Sequence, residues 1–184
     1  MATCLSLPRP IDSAEEANSN YVLAGLILEE VSGLSFVSVI EHEIFNPSGM
    51  EHSFVFGFKS LPDDFPNGHE AGEHQRDYYK NQGFGDGGVI STAADVARFY
   101  RALFVKKTLL SAMLMEDFTD DHLTSNYGLG VEFNGPILGH SGGDLGFSSE
   151  ARIDTRNGAI AVYFISQADA NMSWTEEVLR DLIE

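Results

Sequence analysis

Apolar residues recur at helix spacing early in the chain and at strand spacing late in it. Leu23, Leu26, Ile27 and Val31 fall at i, i+3, i+4 and i+8, one face of a helix that starts at Ser19 or Asn20 and stops at Gly33. A second helix is predicted from Ser35, with Phe36, Val39, Ile40 and Ile44 as its apolar stripe and Pro47 beyond its end. The two helices are expected to pack as a hairpin. Thr92 followed by Asp95 predicts another helix start, capping-box-like with aspartate in place of glutamate. Val96, Phe99, Tyr100 and Leu103 form its apolar face, and 109–115 reads as a further short helix.

Beyond residue 126 the period changes. Extended runs over 127–133 and 136–140 are separated by Asn134-Gly135, a strong hairpin signal. Runs over 147–154 and 159–166 flank Thr155-Arg156-Asn157-Gly158, a second hairpin. A last helix is predicted from Ser173, with Glu176 completing a capping box and Val178, Leu179, Leu182 and Ile183 facing the sheet. Residues 1–15 read as an irregular lead-in. The stretch 51–86, rich in Gly, Asp, Asn, Pro and aromatics, reads as a long irregular segment. With no internal repeat and no linker, the fold class is α+β. One domain over 1–184 is expected, with an antiparallel C-terminal sheet covered by helices.

Composition narrows the function classes. At 184 residues, with 43% hydrophobic positions and 13 phenylalanines, the chain fills a core and is not a disordered segment. Its 28 acidic against 11 basic residues give a net charge of −17. Such a surface repels nucleic acid and anionic membranes, so neither is expected as a partner, and the charge reads as solubility. Cys4 is the single cysteine, which excludes an intrachain disulfide. No apolar run approaches the roughly 18 residues of a membrane-spanning helix. The first ten residues hold no long apolar run of a signal peptide, and the compartment stays open.

The strongest chemical signal is Leu138-Gly139-His140-Ser141-Gly142-Gly143-Asp144. Glycines at the start of a strand expose backbone to a ligand, and a hydroxyl beside an imidazole suits carboxylate binding or proton transfer. Other chemistry fails on spacing. His69 and His74, in His69-Glu70-Ala71-Gly72-Glu73-His74, are five apart, about 140° around a helix at 3.6 residues per turn, so they do not form a zincin pair. No lysine follows the glycines at 83–88 as a phosphate loop requires, and no strand-to-helix nucleophile elbow is expected. Neither a metal nor a cofactor is expected.

These residues sit in a wider pattern. His140-Ser141-Gly142 matches a His-x-Gly motif, and Asn18-Ser19-Asn20-Tyr21-Val22-Leu23-Ala24-Gly25 matches the end of a Tyr-x-Asn motif with its helix. Ile44-Phe45-Asn46-Pro47-Ser48-Gly49-Met50 fits a Pro-Leu-Gly-Met turn with serine for leucine. Gly87-Gly88-Val89-Ile90-Ser91-Thr92-Ala93-Ala94-Asp95-Val96-Ala97-Arg98-Phe99 and Tyr127-Gly128-Leu129-Gly130 follow in order. Together they resemble the serine β-lactamase and penicillin-binding-protein superfamily, in its class C, DD-peptidase and esterase branch.

The resemblance implies hydrolysis of an amide, ester or β-lactam through an acyl-serine. His140-Ser141-Gly142 would then bind the substrate carboxylate or assist proton transfer, and Asn18 would orient the acyl group. Asn18 reads equally as a helix cap. Two departures stand out. No serine in the chain is followed three positions later by lysine, so the Ser-x-x-Lys nucleophile is missing, and Glu16 stands where the motif tyrosine is expected. The resemblance therefore implies a truncated β-lactamase/transpeptidase-like fold that is inactive alone, serves as a binding module, or is completed in trans. A ligand carrying a carboxylate, ester or β-lactam is the expected small-molecule partner. An exposed sheet edge would favour a homodimer. Ser141, with His140 adjacent, is a poor replacement for the missing nucleophile, because neighbours on a strand point to opposite faces and do not pair directly.

Overall fold

The structure, a computed structural model, describes residues 18–57, 59–75, 85–120, 126–144 and 146–168, with 174, 177, 178 and 181. Helix α1 (Asn18–Ser32) ends where Gly33, at φ +68°, turns the chain and its N–H bonds Glu29 O at 2.9 Å. Ser35 caps α2 (Phe36–Ile40) by accepting the Ser38 N–H. The predicted hairpin is instead a corner: the helices over 19–32 and 36–48 meet at 85°. Ser32 and Leu34 take up the bend, with the Leu34 N–H on the Ser32 hydroxyl.

The second helix also runs further than predicted. It continues as a wide π turn (Glu41–Phe45) into α3 (Asn46–Ser48), which contains Pro47. Proline lacks an N–H and its ring crowds the carbonyl four residues back. The wide turn just before it, closed by Asn46 N–H to Glu41 O, accommodates that misfit. Phe36, Phe45 and Met50 then pack with Val55 as one core cluster, joined by Ile40, Ile44 and Phe99.

The described residues of the segment predicted to be irregular, 51–57, 59–75 and 85–86, are irregular apart from two-residue strands. β1 (Phe54–Val55) pairs antiparallel with β4 (Val89–Ile90). β2 (His69–Glu70) and β3 (Glu73–His74) form a hairpin, not a helix, turning at Ala71-Gly72, and His69 faces His74 across it. Among the described residues no third ligand completes a metal site there.

Thr92 caps α4 (Ala93–Tyr100), accepting the Asp95 N–H at 3.2 Å. Asp95 does not reach back to its cap residue as a capping box would. Its buried carboxylate accepts the His52 N–H at 2.7 Å and the Ser53 hydroxyl at 2.8 Å, and pairs with Arg98. A π turn (Arg101–Val105) extends this helix. α5 (Ala112–Phe118) starts three residues later than expected, because Ser111 is its cap and accepts the Leu114 N–H.

The main sheet runs β5 (Glu132–Asn134), β6 (Ile137–Asp144), β7 (Phe147–Asp154) and β8 (Ile160–Ile165), each antiparallel to the next. The first hairpin is shifted by one residue from expectation. Asn134 pairs with Ile137, and the turn is Gly135-Pro136. Gly135 takes φ +58°, the first central position of a II′ turn, while proline, lacking an N–H, belongs in the second position. The second hairpin sits as predicted.

One face of the sheet, with Ala151 and Ile153, packs on Tyr100, Val96 and Phe104. On the opposite face, Trp174 lies on Tyr163 at 5.0 Å between rings. Ser173, Glu176, Leu179, Leu182 and Ile183 lie outside the described residues, as do 1–17. Helices and an antiparallel sheet together give the expected α+β architecture.

Candidate active site

The His140-Ser141-Gly142 run does not open a strand; it lies within β6, paired with β7 as far as Asp144–Phe147. Its exposed backbone comes from the other side. β5 ends opposite Gly139, so β6 beyond that point has an open edge among the described strands. Strand alternation then separates the motif's side chains. His140 stands on the face that carries Ala151, while Ser141 shares its face with Gly139, Glu150 and Arg152.

On the His140 face, three groups meet. His140 Nε2 lies 2.8 Å from the Tyr127 hydroxyl, and that hydroxyl lies 3.2 Å from the hydroxyl of Tyr21 on α1. The Tyr127 and His140 rings meet edge-on, with centroids 5.6 Å apart. His140 Nδ1 contacts the carbonyl oxygen of Ser141. Tyr100, from α4, donates its buried hydroxyl to Ala151 O at 3.1 Å beneath them. Burial, reinforced by the nearby Glu132 and Glu150 charges against the opposing pull of Arg152, pushes the Tyr100 phenol well above its ordinary value.

The Ser141 face is a charge network. Ser141 donates its hydroxyl to Glu132 Oε1 at 3.0 Å, and its N–H reaches the same oxygen at 3.4 Å. Arg152 binds the other Glu132 oxygen at 2.5 Å and pairs with buried Glu150. Partial burial alone would raise the Glu132 pKa. The Arg152 hydrogen bond and charge, with the two bonds from Ser141, outweigh it and hold the carboxyl below its ordinary range. Arg152 reaches Glu132 across β6 at Gly139, where a side chain would collide with the arginine.

Of the residues singled out in the sequence, the structure thus places His140 and Ser141 back to back, with Gly142 next to them on the open edge. Asn18 is the first residue of α1; its side chain, and Glu16, lie outside the described part. The sequence reading missed Tyr21, Tyr127, Glu132 and Arg152 as parts of this site. It also passed over a literal Gly-x-Ser-x-Gly match at Gly139-His140-Ser141-Gly142-Gly143. An elbow needs a strand-to-helix turn, and here a paired strand carries the pattern, so Ser141 is not presented as an elbow nucleophile.

The Beta-lactamase family model matches residues 17–182. The chain belongs to the beta-lactamase family. It is 29% identical to Penicillin-binding protein 4* of Bacillus subtilis (strain 168) over 191 residues, covering 89% of this chain and 42% of that protein. A penicillin-binding protein from Bacillus halodurans superposes with a TM-score of 0.77 at 24% identity, over 91% of this chain and 56% of that one. The D-amino acid amidase from Ochrobactrum anthropi SV3, solved with D-phenylalanine, gives 0.74 at 24% identity, over 93% and 61%. The chain spans about half the length of these relatives. Within this chain, β6 with His140-Ser141-Gly142 and α1 meet at Tyr21, Tyr127 and His140.

Proposed function

We propose that this chain is the part of a serine amide, ester or β-lactam hydrolase that binds and orients substrate, and that alone it does not form an acyl-serine. The open edge of β6 at His140-Ser141-Gly142 would hold the substrate carboxylate and assist proton transfer, and Asn18 would orient the acyl group. The observation that carries this reading is the division of the motif. Its one hydroxyl, Ser141, points away from His140 and is bonded to Glu132, a carboxylate held below its ordinary range and so a weak base. The absence of any Ser-x-x-Lys from the 184 residues agrees with it.

A binding test is direct. Benzylpenicillin, D-phenylalanine amide and a p-nitrophenyl ester are titrated against the chain by calorimetry. Saturable binding that is weakened in Gly142→Val is expected; an absence of binding by all three would remove the reading.

A second reading has its own support. The α1 stripe is exposed rather than packed: Leu23, Leu26, Ile27 and Val31, with Leu34 just beyond the helix, lie open to solvent. β8 has no strand on its outer side among the described residues, and Phe164 on it is exposed. Both surfaces favour a partner, either a chain supplying Ser-x-x-Lys in trans or a second copy pairing at the β8 edge.

A further inference from the structure

We propose that Tyr127 is a positioning residue of this site: together with the Ser141 carbonyl it holds one tautomer of His140, and its hydroxyl passes protons between Tyr21 and that imidazole. One carbonyl sets the direction. His140 Nδ1 contacts the Ser141 oxygen, which can only accept, so Nδ1 carries the proton. In the neutral ring, Nε2 is then a bare lone pair, and the Tyr127 hydroxyl 2.8 Å away donates to it. With that hydrogen committed, the 3.2 Å contact between the two tyrosines is Tyr21 donating to Tyr127. The chain therefore runs Tyr21 to Tyr127 to His140 to the Ser141 carbonyl.

Protonating His140 reverses the first two links. Both ring nitrogens now donate, Nε2–H points at the Tyr127 oxygen, and the Tyr127 hydrogen turns to Tyr21. The Tyr21 hydrogen is released outward. A proton arriving at the Tyr21 oxygen can thus reach Nε2 by two transfers. The Tyr21 O–H bond breaks as a Tyr127 O–H forms, then that hydroxyl's original O–H breaks as Nε2–H forms, with no change of oxidation state. Among the described residues, the titratable groups on this face are Tyr21 from α1, Tyr127 from the loop before β5, Tyr100 from α4 and, four residues along β6, Asp144. Glu132, Glu150 and Arg152 occupy the opposite face. This deepens the reading above and rests on it for its catalytic use, but its test needs no ligand and no turnover, so the two fail separately.

The test is long-range proton–nitrogen NMR of the ¹⁵N-labelled full chain, with His140 neutral. Wild type is expected to show a protonated Nδ1 and an unprotonated Nε2. Tyr127→Phe should shift the Nε2 resonance and populate the Nε2–H form, with Tyr21→Phe doing the same more weakly. An Nε2–H tautomer in wild type, or an Nε2 resonance identical in wild type and Tyr127→Phe, would overturn the proposal. If Tyr127→Phe does not fold, the wild-type tautomer and Tyr21→Phe decide it, and an Nε2 resonance unmoved in Tyr21→Phe removes the relay.

Discussion

Gly139 lies between Glu132 on one neighbouring strand and Arg152 on the other. A methyl group there would sit 2.0 Å from the Ala151 carbonyl oxygen and 2.6 Å from Arg152 Cδ. Backbone on one side cannot yield, so Gly139→Ala is expected to lower stability by about 3 kcal/mol, read as a drop in the urea midpoint. The carboxylate that Arg152 reaches gives a pH signature. The folded pKa of Glu132 is depressed, so its contribution is complete above the ordinary value of 4.5 and is lost as pH falls through that value to the folded one. Wild type should therefore lose more stability between about pH 6 and about pH 3 than Glu132→Gln does; equal losses in urea titrations would contradict the network. Little of this residue-level picture was legible in the sequence. His140 and Ser141 stood out because glycines flank them. Tyr127 and Glu132 did not, because their roles depend on how the loop before β5 meets β6, and no local spacing encodes that.

Elements were more legible where a local signal decides their ends. Gly33 stops α1, Thr92 starts α4, and β7 begins and ends where alternation predicted. Misjudged boundaries each had a competing local cause: a π turn admitting Pro47, a serine cap moving α5, and a proline shifting the β5–β6 turn. The corner between the first two helices was invisible because periodicity gives faces, not crossing angles. Asp95 shows how one residue joins elements. It caps nothing itself but ties α4 to the residues that lead into β1, through the His52 N–H and the Ser53 hydroxyl. Asp95→Ala leaves both donors without their carboxylate, and a loss of about 2 kcal/mol is expected in chemical denaturation, with Asp95→Asn losing less. A neutral effect would mean that β1 and α4 are held by their apolar contacts alone.

For the whole molecule, the exposed surfaces matter most. The spacing of Leu23, Leu26, Ile27 and Val31 correctly marked a helix, but the stripe faces solvent. Periodicity reports an apolar face, not what lies against it. The double change Leu23→Gln and Ile27→Gln should therefore alter the stability of the chain by less than about 0.5 kcal/mol. A loss several times larger, by urea unfolding, would mean that the stripe is covered in solution. The β8 edge is the site proposed for self-association. Light scattering should find a dimer that Phe164→Lys converts to monomer, since an edge lysine opposes strand pairing; a wild-type monomer at all concentrations would exclude that mode. The α+β class and the family were readable from ordered motifs, whereas the surfaces a partner would cover required coordinates.

The central proposal is that the chain offers a substrate-binding wall without its own acyl-serine chemistry. The most direct measurement is intact-mass analysis of the purified chain after incubation with benzylpenicillin, a chromogenic cephalosporin and a p-nitrophenyl ester, with turnover followed in parallel and Ser141→Ala alongside. The expected result is an unmodified mass and no turnover above the Ser141→Ala control. A covalent adduct with turnover, both abolished by Ser141→Ala, would show a working nucleophile on β6 and contradict the proposal.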